Sequence, residues 1–367
     1  MPLKTTAGNH GAIAKGRGAS SNPEGRFEKL VRDAVDDGWP ADAGDEGDSR
    51  PKTVVTIEQA KSIISRHESP DVGFSQSVNP YRGCSNGCPY CYARPSHAYL
   101  GLSPGLDFET RLFAKTNAAQ LLREEISRPG YRCEPLAIGM NTDAYQVIER
   151  EYRITRAILE LCWETRHPVS LITKSALIER DLDLLEPMAR HNLVSATLSV
   201  TTLDHGIARY LEPRASAPLR RILAIERLAK AGIPVNVNVA PVIPFLTDAE
   251  LESILEAAAN AGAQTAGYIL MRLPWEVKDI FREMLENHFP LKAAHVMSRV
   301  HEMRDGKDND PRFGTRMTGE GPFAQLLAQR FEKACERFGF RRKDRELRAL
   351  DTTQFTPPSR NGQASLF

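Results

Sequence analysis

No stretch of the 367-residue chain approaches the ~18 consecutive apolar residues that a bilayer-crossing helix needs, so nothing in it reads as a membrane span. Met1–Arg26 lacks the charged segment followed by an apolar stretch that marks a secretory leader. The expected compartment is therefore the cytoplasm, where thiols stay reduced. An excess of charge is also missing: 48 Lys and Arg face 47 Asp and Glu, a formal net charge of +1. That balance excludes a globally basic nucleic-acid binder and leaves only a local basic patch open. Cysteine is scarce, with six in all, and no second cysteine pair stands where a zinc ribbon would place one. Disulfide frameworks belong to small secreted chains, and this chain is neither small nor marked for secretion. With 41 % hydrophobic residues it can bury the core of one large α/β domain or two smaller ones.

Three of those few cysteines crowd into one loop. Asn79-Pro80-Tyr81-Arg82-Gly83-Cys84-Ser85-Asn86-Gly87-Cys88-Pro89-Tyr90-Cys91-Tyr92 carries the spacing CxxxCxxC. Three thiolates on one short loop can hold three irons of a cubic [4Fe–4S] cluster and leave the fourth iron open. An open coordination position marks a reactive rather than a structural metal centre. Gly83 and Gly87 suit the tight turns needed to wrap such a group. A structural zinc ion wants four ligands; His97 is near enough in sequence to be a fourth, but reads as a residue on a helix surface. Cys162, in the apolar helical run Ile158–Trp163, reads as a small buried hydrophobe, and Cys133 and Cys335 take the same default. The histidines at 167, 191, 205, 288, 295 and 301 show no ligand spacing among themselves.

Along the chain, residues 1–50 are rich in Gly, Ala, Asp and Ser and are expected to be mostly disordered, apart from a helical pattern at Phe27–Val35. β-rich runs then alternate with amphipathic ones. Strands are expected at Phe74–Val78, Leu136–Met140, Val169–Thr173, Ser195–Thr201, Pro234–Ala240 and Thr265–Met271. Helices are expected at Asn117–Ile126, Glu151–Glu164, Leu182–His191, Leu219–Ala231, Asp248–Ala261 and Trp275–Asn287. Gly232 supplies a stop signal, and Thr247 fits an N-cap with an acidic residue three positions on. Several strands read as apolar on both faces, as parallel strands covered by helices do. Six βα repeats are too few for the eight-fold barrel, so the expected fold is α/β, a partial (β/α)6 TIM-like barrel over residues 51–290. Helices alone follow, Leu291–Met303 and Gly321–Phe338, as a C-terminal appendage over 291–350, and residues 351–367 form a flexible tail.

The cysteine loop, placed after the first strand of a βα series, resembles that of the radical S-adenosylmethionine (SAM) superfamily over roughly residues 74–290. Asn79–Cys84, Cys91-Tyr92-Ala93-Arg94, Leu171-Ile172-Thr173-Lys174-Ser175 and Ala240-Pro241-Val242-Ile243-Pro244 are most similar to the branch related to spore photoproduct lyase, often labelled DNA-repair-photolyase-like. The resemblance implies that Cys84, Cys88 and Cys91 hold a [4Fe–4S] cluster whose unique iron is chelated by SAM. Reductive cleavage then yields methionine and a 5′-deoxyadenosyl radical that takes hydrogen from the substrate, with the electron coming from an external donor of flavodoxin or ferredoxin type. It implies further that Tyr90 lies by the adenine, that Tyr92 packs on the cofactor or serves in radical transfer, and that Lys174 meets the SAM carboxylate. Thr142 and Ser199 match positions whose hydroxyls contact SAM, and Asn238 reaches for the ribose. In a parallel barrel these strand ends and Asn141-Thr142-Asp143 face one mouth. One departure stands out. The lyase has a hydrogen-donating cysteine near the end of its second strand; the matching position here is Met140, which has no S–H, so dimer repair is not implied.

The substrate stays open, nucleic acid included, because a partial barrel has a lateral opening. Asn141 and Asp143 read equally well as caps of their loop, and Lys174 as a solvated strand end. The basic run Arg341–Arg348, with Arg304, Arg312 and Arg316, reads as a solvated face or a phosphate-binding patch. The glycine- and arginine-rich stretch Arg312–Pro322 reads either as a cover of the barrel mouth or as a connector. Two alternatives to radical chemistry remain at this level: a protein holding a cluster for redox relay, and a nucleic-acid binder with a structural metal.

Overall fold

Along the central strands Val, Leu and Ala alternate with Ser, Thr and Asn, and a strand sends alternate residues to opposite faces. The computed structural model describes residues 16–27, 51–341 and 349–358. The expected helix beyond Phe27, the basic run from Arg342 to Arg348 and the tail beyond Pro358 lie outside the described residues. Ten strands occur among the described residues: β1 (Val54–Ile57), β2 (Ile64–Arg66), β3 (Gln76–Val78), β4 (Tyr81–Arg82), β5 (Arg111–Ala114), β6 (Leu136–Ile138), β7 (Val169–Thr173), β8 (Val194–Ser199), β9 (Val235–Val242) and β10 (Thr265–Leu270). Seven of them form one sheet in the order β10-β9-β8-β7-β6-β3-β2. All neighbours in it pair in parallel except β2, which runs antiparallel to β3. The six parallel strands are the six expected from the sequence, and they make the partial (β/α)6 barrel.

One face of this sheet carries Val169, Leu171, Val194, Ala196, Leu198, Val235, Val237 and Val239, buried against Ile158, Leu185, Leu228 and Leu255 of the flanking helices. The other face is small and polar. Register sets Ser170 beside Ser195, Thr197 beside Asn236, Asn236 beside Thr265, Ser199 beside Asn238, and Asn238 beside Gly267. The expectation of apolar residues on both faces holds for β6, where Leu136, Ala137 and Ile138 are all buried, and is corrected for β8 and β9. A closed eight-stranded barrel fills its interior with bulky side chains; here short hydroxyls, amides and a glycine leave the concavity open.

The helices fall within a few residues of expectation, with informative exceptions. The helix expected at Glu151–Glu164 is two pieces, Glu149–Tyr152 and Ile154–Glu164, broken at Arg153 with φ 50°. The Glu149 carboxylate causes the second start by accepting the N–H groups of Thr155 and Arg156, at 3.0 and 3.3 Å. Thr247 is not a side-chain cap: its hydroxyl accepts the Ile243 N–H at 2.9 Å, and a 3-10 turn, Asp248–Glu250, precedes the helix Leu251–Asn260. Gly232, at φ 77°, does follow the helix Pro218–Lys230 as a stop.

The insertion after the cysteines is structured: a 3-10 helix at Arg94–Leu100, a short helix at Leu106–Thr110, then β5, which pairs with β1 and β4 in a small second sheet. At the other end, residues 304–320 connect the helices Pro290–Glu302 and Gly321–Phe338. They also run between the sheet's two edges. Leu270 of β10 donates its N–H to Met317 at 2.9 Å, while Gly314 N–H reaches Asp71 at 2.7 Å and Arg316 reaches Asp71 and Ser69. Asp71 and Ser69 lie in the loop joining β2 to β3. The stretch is a strap across the open side of the barrel as well as a connector.

Candidate functional site

Arg82 closes β4, and the chain then turns through Gly83 and Gly87 at φ 72° and 71°. Both turns need glycine. A Cβ on Gly83 would lie 2.8 Å from Leu112 and 2.9 Å from the Phe108 carbonyl, and one on Gly87 would lie 2.8 Å from Glu109. The loop brings Cys84, Cys88 and Cys91 together as free thiols, the first two buried and the third half-buried. Burial pushes all three thiols up, Cys88 to about 12, and Cys84 rises further because Asp143, Cys91 and Cys88 lie close to it. Among the described residues no three His, Cys, Asp or Glu side chains gather closely enough to ligate a single ion. Three mutually opposed thiols of this kind fit a larger cationic group held at three corners, since coordination deprotonates a thiol that burial alone would keep neutral.

A dense set of bonds fixes the loop. Gln146 accepts the Ser85 N–H at 2.9 Å and donates to the Gly83 carbonyl at 3.2 Å. Asp143 accepts from Asn86 at 2.9 Å, from Thr173 at 2.6 Å and from the Lys174 N–H at 2.9 Å, and it caps its own loop through the Tyr145 N–H. It therefore plays both roles the sequence allowed, tying the cysteine loop to the end of β7. Arg94 is fully buried; it donates to the Cys88 carbonyl at 2.8 Å and pairs with the equally buried Glu109 at 2.5 Å. Glu109 in turn accepts the N–H groups of Gly18 and Ala19, at 3.1 and 2.8 Å. Gly18 presses so closely on the loop that a Cβ there would fall 1.5 Å from the Gly87 carbonyl oxygen.

His97, expected on a helix surface, is fully buried beneath the loop and bonded through Nε2 to the Arg111 carbonyl at 2.9 Å. The reason is packing: the 3-10 helix turns this residue under Gly83, with Phe108 and Phe113 at its edges. Cys162 is fully buried as expected, whereas Cys133 and Cys335 are only half-buried.

The other site residues stand as follows. The Tyr90 hydroxyl donates to Glu212, and Lys174 Nζ lies 3.2 Å from the same carboxylate, 3.0 Å from the Ala240 carbonyl and 5.9 Å from the Tyr90 ring. Thr201 donates to Glu212 at 2.7 Å, and Arg221 pairs with its second oxygen. Burial alone would raise the Glu212 pKa, but Arg221 and Lys174 hold it far below the usual carboxylate range. Glu212, Arg221 and Gln146 escaped the sequence reading, since each acts through a partner distant in the chain and sits in no motif. Thr142 is buried, with its hydroxyl on the Tyr81 carbonyl at 2.9 Å. Ser199 and Asn238 are neighbours on the concave face. The Tyr92 hydroxyl crosses to the Met140 carbonyl beyond β6, and the Arg272 guanidinium lies 5.4 Å from its ring centroid. The arginines do not form the imagined patch: Arg304 is fully buried, Arg312 pairs with Asp310 and Glu320, and Arg316 with Asp71. Among the described residues no helix is long and apolar enough to cross a membrane.

Comparison with known proteins adds the following. The model of the radical SAM superfamily matches residues 78–258. Uncharacterized proteins of Mycobacterium tuberculosis and Mycobacterium bovis are 41 % identical over 232 residues, covering 63 % of this chain and 67 % of theirs. An uncharacterized protein of Methanocaldococcus jannaschii is 27 % identical over 192 residues, 52 % of this chain and 69 % of its own. Among solved structures, spore photoproduct lyase complexed with dinucleoside spore photoproduct superposes with a TM-score of 0.56 at 16 % identity, over 77 % of this chain and 79 % of that one. A variant of that lyase with bound AdoMet and the same dinucleoside gives the same figures. At such identity the likeness is one of fold.

Proposed function

This chain belongs to the radical SAM superfamily, and on that premise we propose that it is an enzyme holding a [4Fe–4S] cluster on Cys84, Cys88 and Cys91 and taking hydrogen from an organic substrate. The supporting observation is the trio of free, largely enclosed thiols on a loop whose backbone is held by Gln146 and Arg94. When bound, the cluster and SAM supply one-electron cleavage of a sulfonium bond.

The chain's own residues position and shield. Asp143 and Gln146 hold the loop in register with β7, so that the thiols and Lys174 keep one geometry. At the Lys174–Glu212–Arg221 group two cations face one carboxylate, leaving a net positive charge where the carboxylate of SAM would dock. Thr142, Ser199 and Asn238 offer short polar groups around the same mouth, and the Tyr90 ring forms its floor. We assign Tyr92 to the substrate side, since its ring is half exposed while its hydroxyl is anchored on Met140. An electron donor of flavodoxin or ferredoxin type completes the proposal. Met140 offers no thiol hydrogen, so the reaction proposed is not that of the lyase.

The test is anaerobic reconstitution with iron and sulfide, then SAM and dithionite. The expected result is a brown protein that forms 5′-deoxyadenosine, and alanine at Cys84, Cys88 and Cys91 should abolish both colour and product. A triple-alanine variant that still cleaves SAM, or a wild-type protein that takes up zinc and refuses the cluster, would overturn the reading.

A further inference from the structure

Arg272 follows β10, the edge strand of the main sheet, by two residues. Its surroundings are unusual for an arginine in this molecule. Arg94, Arg180, Arg221, Arg316 and Arg330 each face a carboxylate, and the buried Arg304 donates to the carbonyls of Leu270, Met271 and Thr315. Among the described residues Arg272 has no ion pair. Its Nε, like that of Arg304, is buried with no partner, but its Nη1 meets only the Met317 sulfur, at 3.2 Å, a weak acceptor, where Arg304 has three carbonyls. Arg166 also lacks a carboxylate, but it stacks 3.6 Å above Trp163 on an outer helix, and that contact accounts for it. Arg272 has only the looser contact with Tyr92, at 5.4 Å.

A half-buried guanidinium with unused donors is costly unless something supplies acceptors. Nearby charge does not fully relieve it. Asp71 is already engaged by Arg316 and by the Gly314 N–H, and Arg304 adds a second buried cation whose partners are neutral carbonyls. Burial is the main cause that lowers the pKa of Arg272; Tyr92 and Asp71 raise it and Arg316 lowers it, so nearby charge offsets the burial only in part. The same guanidinium lies over Tyr92, the residue next to Cys91. The donors thus sit beside the residue that follows the third cysteine of the loop.

We propose that Arg272 is a substrate-binding residue that receives an oxyanion of the substrate, a carboxylate or phosphate group, in the gap between Tyr92 and the 304–320 strap. The proposal rests on the radical SAM reading only for calling that ligand a substrate. A planar fork of N–H donors matches either oxyanion in a bidentate manner. Tyr92, with its hydroxyl fixed on Met140, supplies a flat face beside the anion.

The experiment uses the full chain, reconstituted anaerobically and saturated with SAM, and titrates it by calorimetry with three probes: inorganic phosphate, a dinucleoside monophosphate and succinate. Wild type, R272Q, R272K and the control R312Q are compared, and SAM affinity is measured for each. The expected result is that at least one probe binds wild type and R312Q alike but R272Q at least tenfold more weakly, with R272K between, while SAM affinity stays within twofold. Preference for the dinucleoside over succinate identifies a phosphate-bearing substrate, and the reverse a carboxylate. If no probe binds wild type, or if R272Q binds all of them normally, the proposal is overturned. It is equally overturned if R272Q loses SAM instead, since the guanidinium would then serve the cofactor. Failure of the radical SAM reading shows separately, as wild-type protein without cluster absorbance.

Discussion

Two sides of the barrel mouth are built on opposite terms. Around the cysteine loop most polar groups are paired, with the Ser85 hydroxyl and His97 Nδ1 as exceptions: Asp143 serves four donors, Glu212 four, and the buried Arg94–Glu109 pair ties the loop to the N-terminal segment. Across the opening, beside β10, Arg272 is left with a sulfur and a ring, and one exposed strap of residues spans the gap. The first side has its partners inside the chain and is rigid before any ligand arrives. The second has donors waiting for partners from outside. A reaction common to a superfamily asks for the first; a substrate particular to one protein asks for the second.

The contrast is tested most severely at Glu109. Its carboxylate and the Arg94 guanidinium are wholly buried, and removing one charge of such a pair typically costs ~3–5 kcal/mol because the other is left unmatched. E109Q is expected to lose stability on that scale in urea unfolding and to hold less iron per chain after reconstitution. If E109Q unfolds and binds iron like wild type, the paired side is not the rigid one.

A smaller effect on the same side is expected from G18A. The added methyl must escape the Gly87 carbonyl, so residues 16–22 lift from the loop and the bonds from Gly18 and Ala19 to Glu109 lengthen. Overpacking of this kind costs ~1–3 kcal/mol. The visible absorbance of the reconstituted protein should fade faster in air than that of wild type. G73A, where an added methyl meets nothing within 4 Å, is the control and should stay within ~0.5 kcal/mol of wild type. Equal fading in both variants would mean that the N-terminal segment covers nothing that matters.

How far the sequence spoke for each side follows from the range of the forces involved. The six parallel strands were legible because a strand's alternation is local, and the cysteine loop because its spacing is. The polar concavity was written as plainly, in Val-Asn-Val-Asn-Val from Val235 to Val239, while Leu136-Ala137-Ile138 is apolar and buried on both faces as its sequence suggests. Small residues opposite Val and Leu are neutral evidence until the sheet's curvature says which face is inside. The bracing residues were not legible. Glu212 meets Tyr90 across 122 positions and Asp143 meets Asn86 across 57, distances over which no periodicity carries information. Arg272 was equally silent, because what distinguishes it is the absence of a partner, which no sequence displays. His97 was misplaced for a related reason: a 3-10 turn presents different faces from the α-helix that residue spacing suggests.

The gentlest intervention is at the strap. Asp71 holds it through Arg316 and the Gly314 N–H, and neither bond involves the cysteine loop. D71N keeps the side chain's shape and removes the charge, so the loss should be about 1 kcal/mol, as befits a mostly buried pair whose arginine keeps its bond to Ser69. Its location matters more than its size. Amide hydrogen exchange at residues 312–318 should quicken by up to about tenfold, the factor that corresponds to 1.4 kcal/mol of easier opening, while the cysteine loop keeps its protection and its iron. A variant that lost iron as readily as E109Q would show that the two sides fold as one cooperative unit. Unchanged exchange would show that the strap is held by its other bonds, Leu270 to Met317 and Arg304 to Thr315 among them, leaving the open edge as firm as the closed one.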